Sequence, residues 1–257
     1  MPERLGRSRR LPIGRRVTCD FVYASMRMPM VAVQMSMNVA EVAAARDALG
    51  VRPSWCSIFT KAYAKVIASR PDMRRAYLSF PWERMYEYAS ATSDVVVEAS
   101  VHDELALVSV PIKNPETRPL LDLDRHLNWC KENPIERVPH YRIARWVALF
   151  PRFIRRPAWW FVLNVSGYLR SMFFSTFGVT TVGKWGVESL RPIAPWISLL
   201  HYGMIDADGN LTVRLTFDHR VLDGSGPSTA LVEMERFLKT DIVGELKALG
   251  QEPRIAS

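Results

Sequence analysis

Asp218-His219-Arg220-Val221-Leu222-Asp223-Gly224 is the stretch of this chain whose residue types and spacing suit catalysis. Neutral imidazole is the usual general base near pH 7, because its pKa lies close to the working pH. Asp223 follows His219 by four residues in a tight loop. A carboxylate there can hold the loop by binding an arginine or backbone N–H groups. Gly224 is expected to permit a turn that a Cβ would obstruct. A lone histidine is more often a strand cap than a base. Four specified residues at fixed spacing, however, arise by chance on the order of once in a thousand such chains.

The flanking pattern says how the motif is held. Leu211 to Phe217 alternates as a strand and delivers Asp218-His219 to its end. Pro227 then opens a helix with an apolar face of Ala230, Leu231, Met234, Phe237 and Leu238. Ile197 to Gly203 reads as the strand before it, joined through a hairpin turn at Asp206-Ala207-Asp208-Gly209-Asn210. Further strands are expected at Val31 to Met37, Ala89 to Val97 and Ala106 to Ile112. Helices are expected at Val39 to Leu49, Ser57 to Ser69 and Leu120 to Cys130. Strands and helices mix without strict alternation, which predicts an α/β (α+β) sandwich rather than a doubly wound nucleotide-binding fold. No G-x-G-x-x-G follows a strand and no Walker-type loop is present.

The 257 residues suit one large domain with a substantial core, 48% of them hydrophobic and 23% charged. A net charge of +8 calls for an anionic partner: nucleic acid, an anionic membrane or a phosphate-bearing cofactor. Cys19, Cys56 and Cys130 are odd in number and lack Cys-x-x-Cys spacing. That disfavours a disulfide framework or a zinc site and predicts reduced thiols in a cytoplasmic protein without a metal. No segment offers the roughly 20 apolar residues of a membrane span. Residues 1–12 are expected to be a flexible basic arm, and residues 13–257 a single domain.

Beyond the motif, Phe177-Gly178-Val179-Thr180-Thr181-Val182-Gly183-Lys184-Trp185-Gly186 has the form of a strand and turn, and Phe59-Thr60-Lys61-Ala62 opens a helix that ends before Pro71. Arg15, Ser25 and Pro29 space out the N-terminal part, and Pro192-Ile193 precedes the strand at Ile197. Together with the His219 motif, these segments resemble the catalytic domain of dihydrolipoamide acyltransferases, the core components of 2-oxo acid dehydrogenase complexes. Chloramphenicol acetyltransferase is a more distant relative of the same kind. The resemblance spans about residues 13 to 240 and implies a central mixed sheet flanked by helices.

The resemblance also implies a mechanism. His219 acts as general base on a thiol, hydroxyl or amine, which attacks an acyl thioester. The tetrahedral oxyanion then needs a hydrogen-bond donor. Thr180 matches the family's serine, with Thr181 the alternative. Asp223 is structural, paired with Arg15 or Arg16. The site lies between subunits of a homotrimer, so Thr180 and His219 come from different chains. Coenzyme A is the natural acyl carrier, with Thr181, Arg74, Arg75 and Lys113 as candidate contacts. The chain departs from the family in having no lipoyl domain, and in carrying Thr181 where the family has asparagine. Both departures bear on the lipoamide acceptor more than on the acyl chemistry. Two other readings stand: a degenerate relative with an assembly role, and a basic nucleic-acid binder. The second is disfavoured because no nucleic-acid motif or RNP-type aromatic pattern is found.

Val138 to Phe174 reads as an insertion in that family's pattern. Trp146, Phe150, Phe153, Trp159, Trp160, Phe161, Phe173 and Phe174 alternate with Arg142, Arg145, Arg152, Arg155, Arg156 and Arg170, and Pro151 and Pro157 are expected to break it into short pieces. Either its aromatics fill a core while its arginines face water, or rings and arginines together meet an anionic membrane surface. In the second case it forms a flap beside Thr180 that admits a long acyl chain or a lipid acceptor.

Overall fold

The computed structural model describes residue 6 and residues 8–101, 104–133, 137–181 and 189–251. Its spine is a six-stranded mixed sheet, order β1-β8-β7-β6-β4-β5. The strands are β1 (Met30–Asn38), β4 (Thr92–Val101), β5 (Glu104–Lys113), β6 (Phe177–Thr180), β7 (Ser198–Tyr202) and β8 (Asn210–Asp218). β6 runs parallel to β4 and β7, and the other pairs are antiparallel. β2 (Arg75–Leu78) and β3 (Arg84–Glu87) form a separate hairpin.

Period-2 alternation in the central strands sends side chains to two different cores. Val95, Val110, Phe177, Val179, Leu200, Val213, Leu215 and Phe217 face one cluster. There they meet α3 (Trp55–Ser69) and α8 (Ser225–Phe237), whose Phe59, Tyr63, Leu231 and Met234 are fully buried. Ser54 caps α3 by accepting from the Ser57 N–H, and Pro71 forces Arg70 out of helical geometry at the other end. α2 (Ala40–Asp47), α4 (Leu120–Glu132) and α9 (Val243–Gln251) complete this layer.

The opposite face meets α1 (Ile13–Ser25), α6 (Arg152–Asn164) and α7 (Gly167–Phe173) through Ala24, Val162, Leu163, Phe174, Trp196 and Leu199. α5 (Pro139–Leu149) packs on α1 and β5. Gly178 belongs to this face for a steric reason: a Cβ there would stand 2.1 Å from the Trp196 indole.

The sheet agrees closely with the sequence reading, with three differences. α1 was not expected as a helix, and β2 and β3 are too short to show a period. Pro157 does not break α6, because it falls in the helix's second turn, where little of the preceding ladder is lost. The hairpin forms as expected: the Asp206 carboxylate accepts the N–H groups of Asp208 and Asn210, and Gly209 takes φ +82°.

Candidate active site

His219 stands just past the end of β8. Its N–H donates to the Pro29 carbonyl, its ring lies edge-on to Phe217 at 5.8 Å, and its side chain is exposed. Nδ1 lies 3.1 Å from the Leu222 carbonyl oxygen. A carbonyl can only accept, so Nδ1 carries the proton and the neutral ring presents Nε2 as a free base to solvent.

The loop that holds this ring is tied by Asp218. Its backbone carbonyl accepts from the N–H groups of Val221 and Leu222. Its buried carboxylate takes Arg220 Nε at 2.9 Å and Nη2 at 2.7 Å. The Arg220 guanidinium in turn lies 4.6 Å from the Tyr77 ring centroid. A charge-assisted bidentate pair of this kind fixes geometry as well as energy. Sequence reading gave the tie to Asp223; the Asp-x-Arg spacing at 218 and 220 was the signal for Asp218. Asp223 itself is exposed, and within one protomer it forms no ion pair with Arg15 or Arg16. The expectation for Gly224 is corrected: its φ is −55° and a Cβ there would meet nothing within 4 Å, so within one protomer the turn does not require glycine.

Thr180 ends β6 at the other end of the sheet. It pairs with His201 of β7, which pairs with Arg214 of β8, four residues before Asp218. At about 3.4 Å per residue and about 4.8 Å per strand, Thr180 and Asp218 lie about 17 Å apart. Within one protomer, therefore, Thr180 and His219 do not share a site. Thr181 is at the Thr180 end, where its hydroxyl donates to the Tyr202 carbonyl. Lys113 is at the other, opposite Thr92. Arg74 and Arg75 both meet Glu87, at 3.8 and 3.1 Å. The four candidate coenzyme contacts are thus not gathered in one protomer. Val182 to Gly186, the rest of the strand-turn segment, lies outside the described residues.

The insertion forms α5, α6 and α7, with the roles of its residues partly exchanged. Arg155 is buried against Asp20 of α1, and Arg170 is 2% exposed, donating to the carbonyls of Tyr77 and Leu163. Trp146 and Phe153, in contrast, are 62% and 76% exposed. Ile143, Phe150, Ile154 and Phe161 are exposed as well, as are Arg142, Arg145 and Arg152. Trp160 carries the patch on to Phe80, edge to face at 5.8 Å. No acidic residue occurs between Glu136 and Glu188.

No family model matches the chain, and no curated protein matches it in sequence. Solved structures do match. Dihydrolipoamide acetyltransferase of Azotobacter vinelandii has 20% identity and a TM-score of 0.63, over 94% of this chain and 95% of that one. A truncated catalytic core of the 2-oxoacid dehydrogenase multienzyme complex of Thermoplasma acidophilum has 15% identity and a TM-score of 0.62, over 91% and 98%. A chloramphenicol acetyltransferase has 12% identity and a TM-score of 0.52, over 90% and 96%. The fold is that of the chloramphenicol acetyltransferase class, a mixed sheet flanked by helices. Within that class its structural neighbours include catalytic cores of the dihydrolipoamide acetyltransferases.

Proposed function

We propose that this chain is an acyltransferase, moving an acyl group between coenzyme A and a small or lipid-like acceptor at a site completed by a neighbouring copy in a homotrimer. The observation that carries this reading is the His219 loop: an exposed imidazole, protonated at Nδ1 by its carbonyl contact, with Nε2 free at the end of β8. Nε2 takes the proton of the acceptor as the acceptor attacks the thioester carbonyl. The resulting oxyanion is held by the hydroxyl of the neighbour's Thr180. Collapse expels the coenzyme A thiolate, which recovers the proton from the imidazolium. Such an arrangement accounts for the exposure of His219 in one protomer and for its 17 Å distance, to within about one residue, from Thr180 in the same chain. Asp223 is free to pair with Arg15 or Arg16 across the same interface.

The acid-free aromatic and arginine face of α5 and α6 belongs to the same reading. Its rings suit a lipid headgroup boundary and its guanidiniums suit anionic headgroups, so the acceptor is met at a membrane surface. Among the described residues no helix is long and apolar enough to cross a membrane.

The test is complementation. Acyl transfer from a panel of acyl-coenzyme A donors is followed by mass spectrometry in a cell extract. His219→Ala is expected to lower turnover about 10²- to 10⁴-fold, and Thr180→Val about 10²- to 10³-fold. When equal amounts of the two inactive variants are unfolded and refolded together, about a quarter of all sites, one in each mixed trimer, are expected to regain both groups. Light scattering that shows a monomer, or mixing that restores nothing, refutes the shared site. Full turnover in His219→Ala refutes the chemistry.

A further inference from the structure

Between α1, the β4–β5 ladder and α5–α7 lies a cavity of about 680 Å³. That is within the roughly 300–1,000 Å³ range of small-molecule sites. Its walls are mainly apolar, with Phe21 of α1, Trp159 of α6, Phe173, Phe174 and Trp196 among them. Its floor is Thr92, Asp94 and Val96 of β4, and Lys113 and Ser109 of β5, which stand opposite Thr92 and Val96, line it as well. No step of the acyl transfer described above uses this space.

The burial of the lining residues shows where the cavity opens. Ala89, Lys113, Ile143, Tyr168 and Met172 line it and are exposed. Asp20, Asp94, Phe174 and Trp196 line it and are buried. Ala89 precedes β4 and Lys113 stands opposite Thr92, so the mouth is at the Thr92 end of the floor. From Thr92 to Val96 the floor runs four residues, about 14 Å. An extended chain advances about 1.2 Å per bond, so an aliphatic chain of about twelve carbons spans that length. Ile143 at the mouth stands one turn before exposed Trp146 on α5, which sets the opening at the border of the ring-bearing surface.

Charge selects the head group. The two carboxylates of the lining are buried and engaged: Asp94 accepts from Ser109 Oγ and from Trp196 Nε1 at 2.8 Å, and Asp20 pairs with Arg155. At the mouth the free charges are positive. Lys113 is there, and Arg142 and Arg145 flank the lining residues Ile143 and Ala144 on α5. All three are exposed, and among the described residues none of them forms an ion pair. An anionic head gains from this field and a cationic one is repelled.

We infer that this cavity is a binding site for a fatty acid, whose chain of about twelve carbons lies along β4 between Phe21, Trp159, Phe174 and Trp196, with the carboxylate at the mouth beside Lys113. Binding does not depend on acyl transfer, so the site stands or falls separately from the catalytic reading.

Calorimetric titration of the full chain at pH 8, with each ligand below its micelle concentration, tests it. From octanoate to dodecanoate, affinity is expected to rise about fourfold per methylene. Hexadecanoate outruns the floor and is expected to gain much less per methylene. Decylammonium is expected to bind at least about threefold more weakly than decanoate, and Lys113→Glu to weaken dodecanoate about three- to tenfold. Ala144→Phe fills the cavity and is expected to abolish binding, while Trp146→Ser with Phe153→Ser, which changes only the outer surface, is expected to bind as the parent does. Thermal melts confirm that each variant is folded, and Lys113→Glu keeps the test open if Ala144→Phe is not. His219→Ala is expected to bind dodecanoate as the parent does. The inference is overturned if affinity does not rise with chain length, if decylammonium binds as tightly as decanoate, or if Lys113→Glu or a folded Ala144→Phe leaves affinity unchanged. It is also overturned if the Trp146 and Phe153 double variant loses binding, which places the chain on the outer surface, or if His219→Ala loses it.

Discussion

The two faces of the central sheet are built differently. Toward α3 and α8 the sheet buries an almost wholly apolar layer: Phe59 stacks on Tyr202 at 4.4 Å, and Tyr63 meets Phe177 edge-on at 4.9 Å. Toward α1 and α5–α7 it buries an ion pair and a cavity, and the helices that cover it leave Trp146, Phe153 and Trp160 exposed. The first face has one task, to hold the strands in register. The second also encloses open volume, which native structures concentrate where ligands bind.

The largest effects that sharpen this contrast are on stability. Phe59→Ala opens a hole in the closed layer and is expected to cost about 3–5 kcal/mol. Asp20→Ala strands buried Arg155 and is expected to cost a similar ~3–5 kcal/mol. The two should differ in how they are repaired. Replacing Asp20 and Arg155 together by leucine and methionine is expected to recover most of the loss, because an apolar pair bears no desolvation penalty. Denaturant unfolding of the single and double variants measures this. If the double variant is as unstable as Asp20→Ala, the ion pair is not the weak point of the second face.

A smaller stability effect, with a large binding effect, is expected outside that face. Phe153→Ser and Trp146→Ser on the exposed side of α5 and α6 should move stability by no more than about 0.5 kcal/mol. Flotation with anionic vesicles at low salt should carry the parent protein upward, less so as salt rises, and should carry the double variant little. Equal flotation of parent and variant would show that this patch does not meet lipid, and the outer surface of the second face would then be no different in kind from other exposed apolar groups.

Much of this was legible in the sequence, and what was not has physical causes. β1, α2, α3, α4, β5, β7, β8 and α8 follow single-period patterns, and each formed within a few residues of where the pattern places it. His219 could be placed because strand, turn and helix signals frame it. α1 could not, since its buried Asp20 and exposed Arg15 spoil an apolar stripe. In the insertion, composition gave aromatics and arginines but not which were buried, because burial of Arg155 and Arg170 depends on partners 135 and 93 residues away, Asp20 and the Tyr77 carbonyl. The cavity had no sequence signal, as it arises from how four helices, α1 and α5–α7, pack over β4 and β5.

The last effect concerns a buried carboxylate on the closed side that ties two helices. Asp124 of α4 accepts the Ser54 N–H and the Ser57 hydroxyl, both at 2.8 Å, at the N-terminus of α3. Burial alone would raise its carboxyl, but the hydrogen bonds from Ser54 and Ser57 outweigh burial and hold it below the usual 3.8. A carboxyl lowered on folding contributes stability that is fully present above its unfolded value and is lost as pH falls through the folded one. Stability should therefore be flat with respect to this group at pH 6 and decline below pH 3.8. Asp124→Asn is expected to lower stability by about 1–2 kcal/mol at pH 6 and to narrow the gap to the parent at pH 3, below the ordinary carboxyl value of 3.8, where the unfolded chain takes up the proton first. Thermal melts at the two pH values read this directly. A gap between parent and Asp124→Asn that is the same at both would mean that the charge of Asp124 does not contribute to the tie between α3 and α4, which would leave the Glu245 carboxylate, paired with Lys61 of α3 and accepting the Leu120 N–H of α4, as the charged link between them.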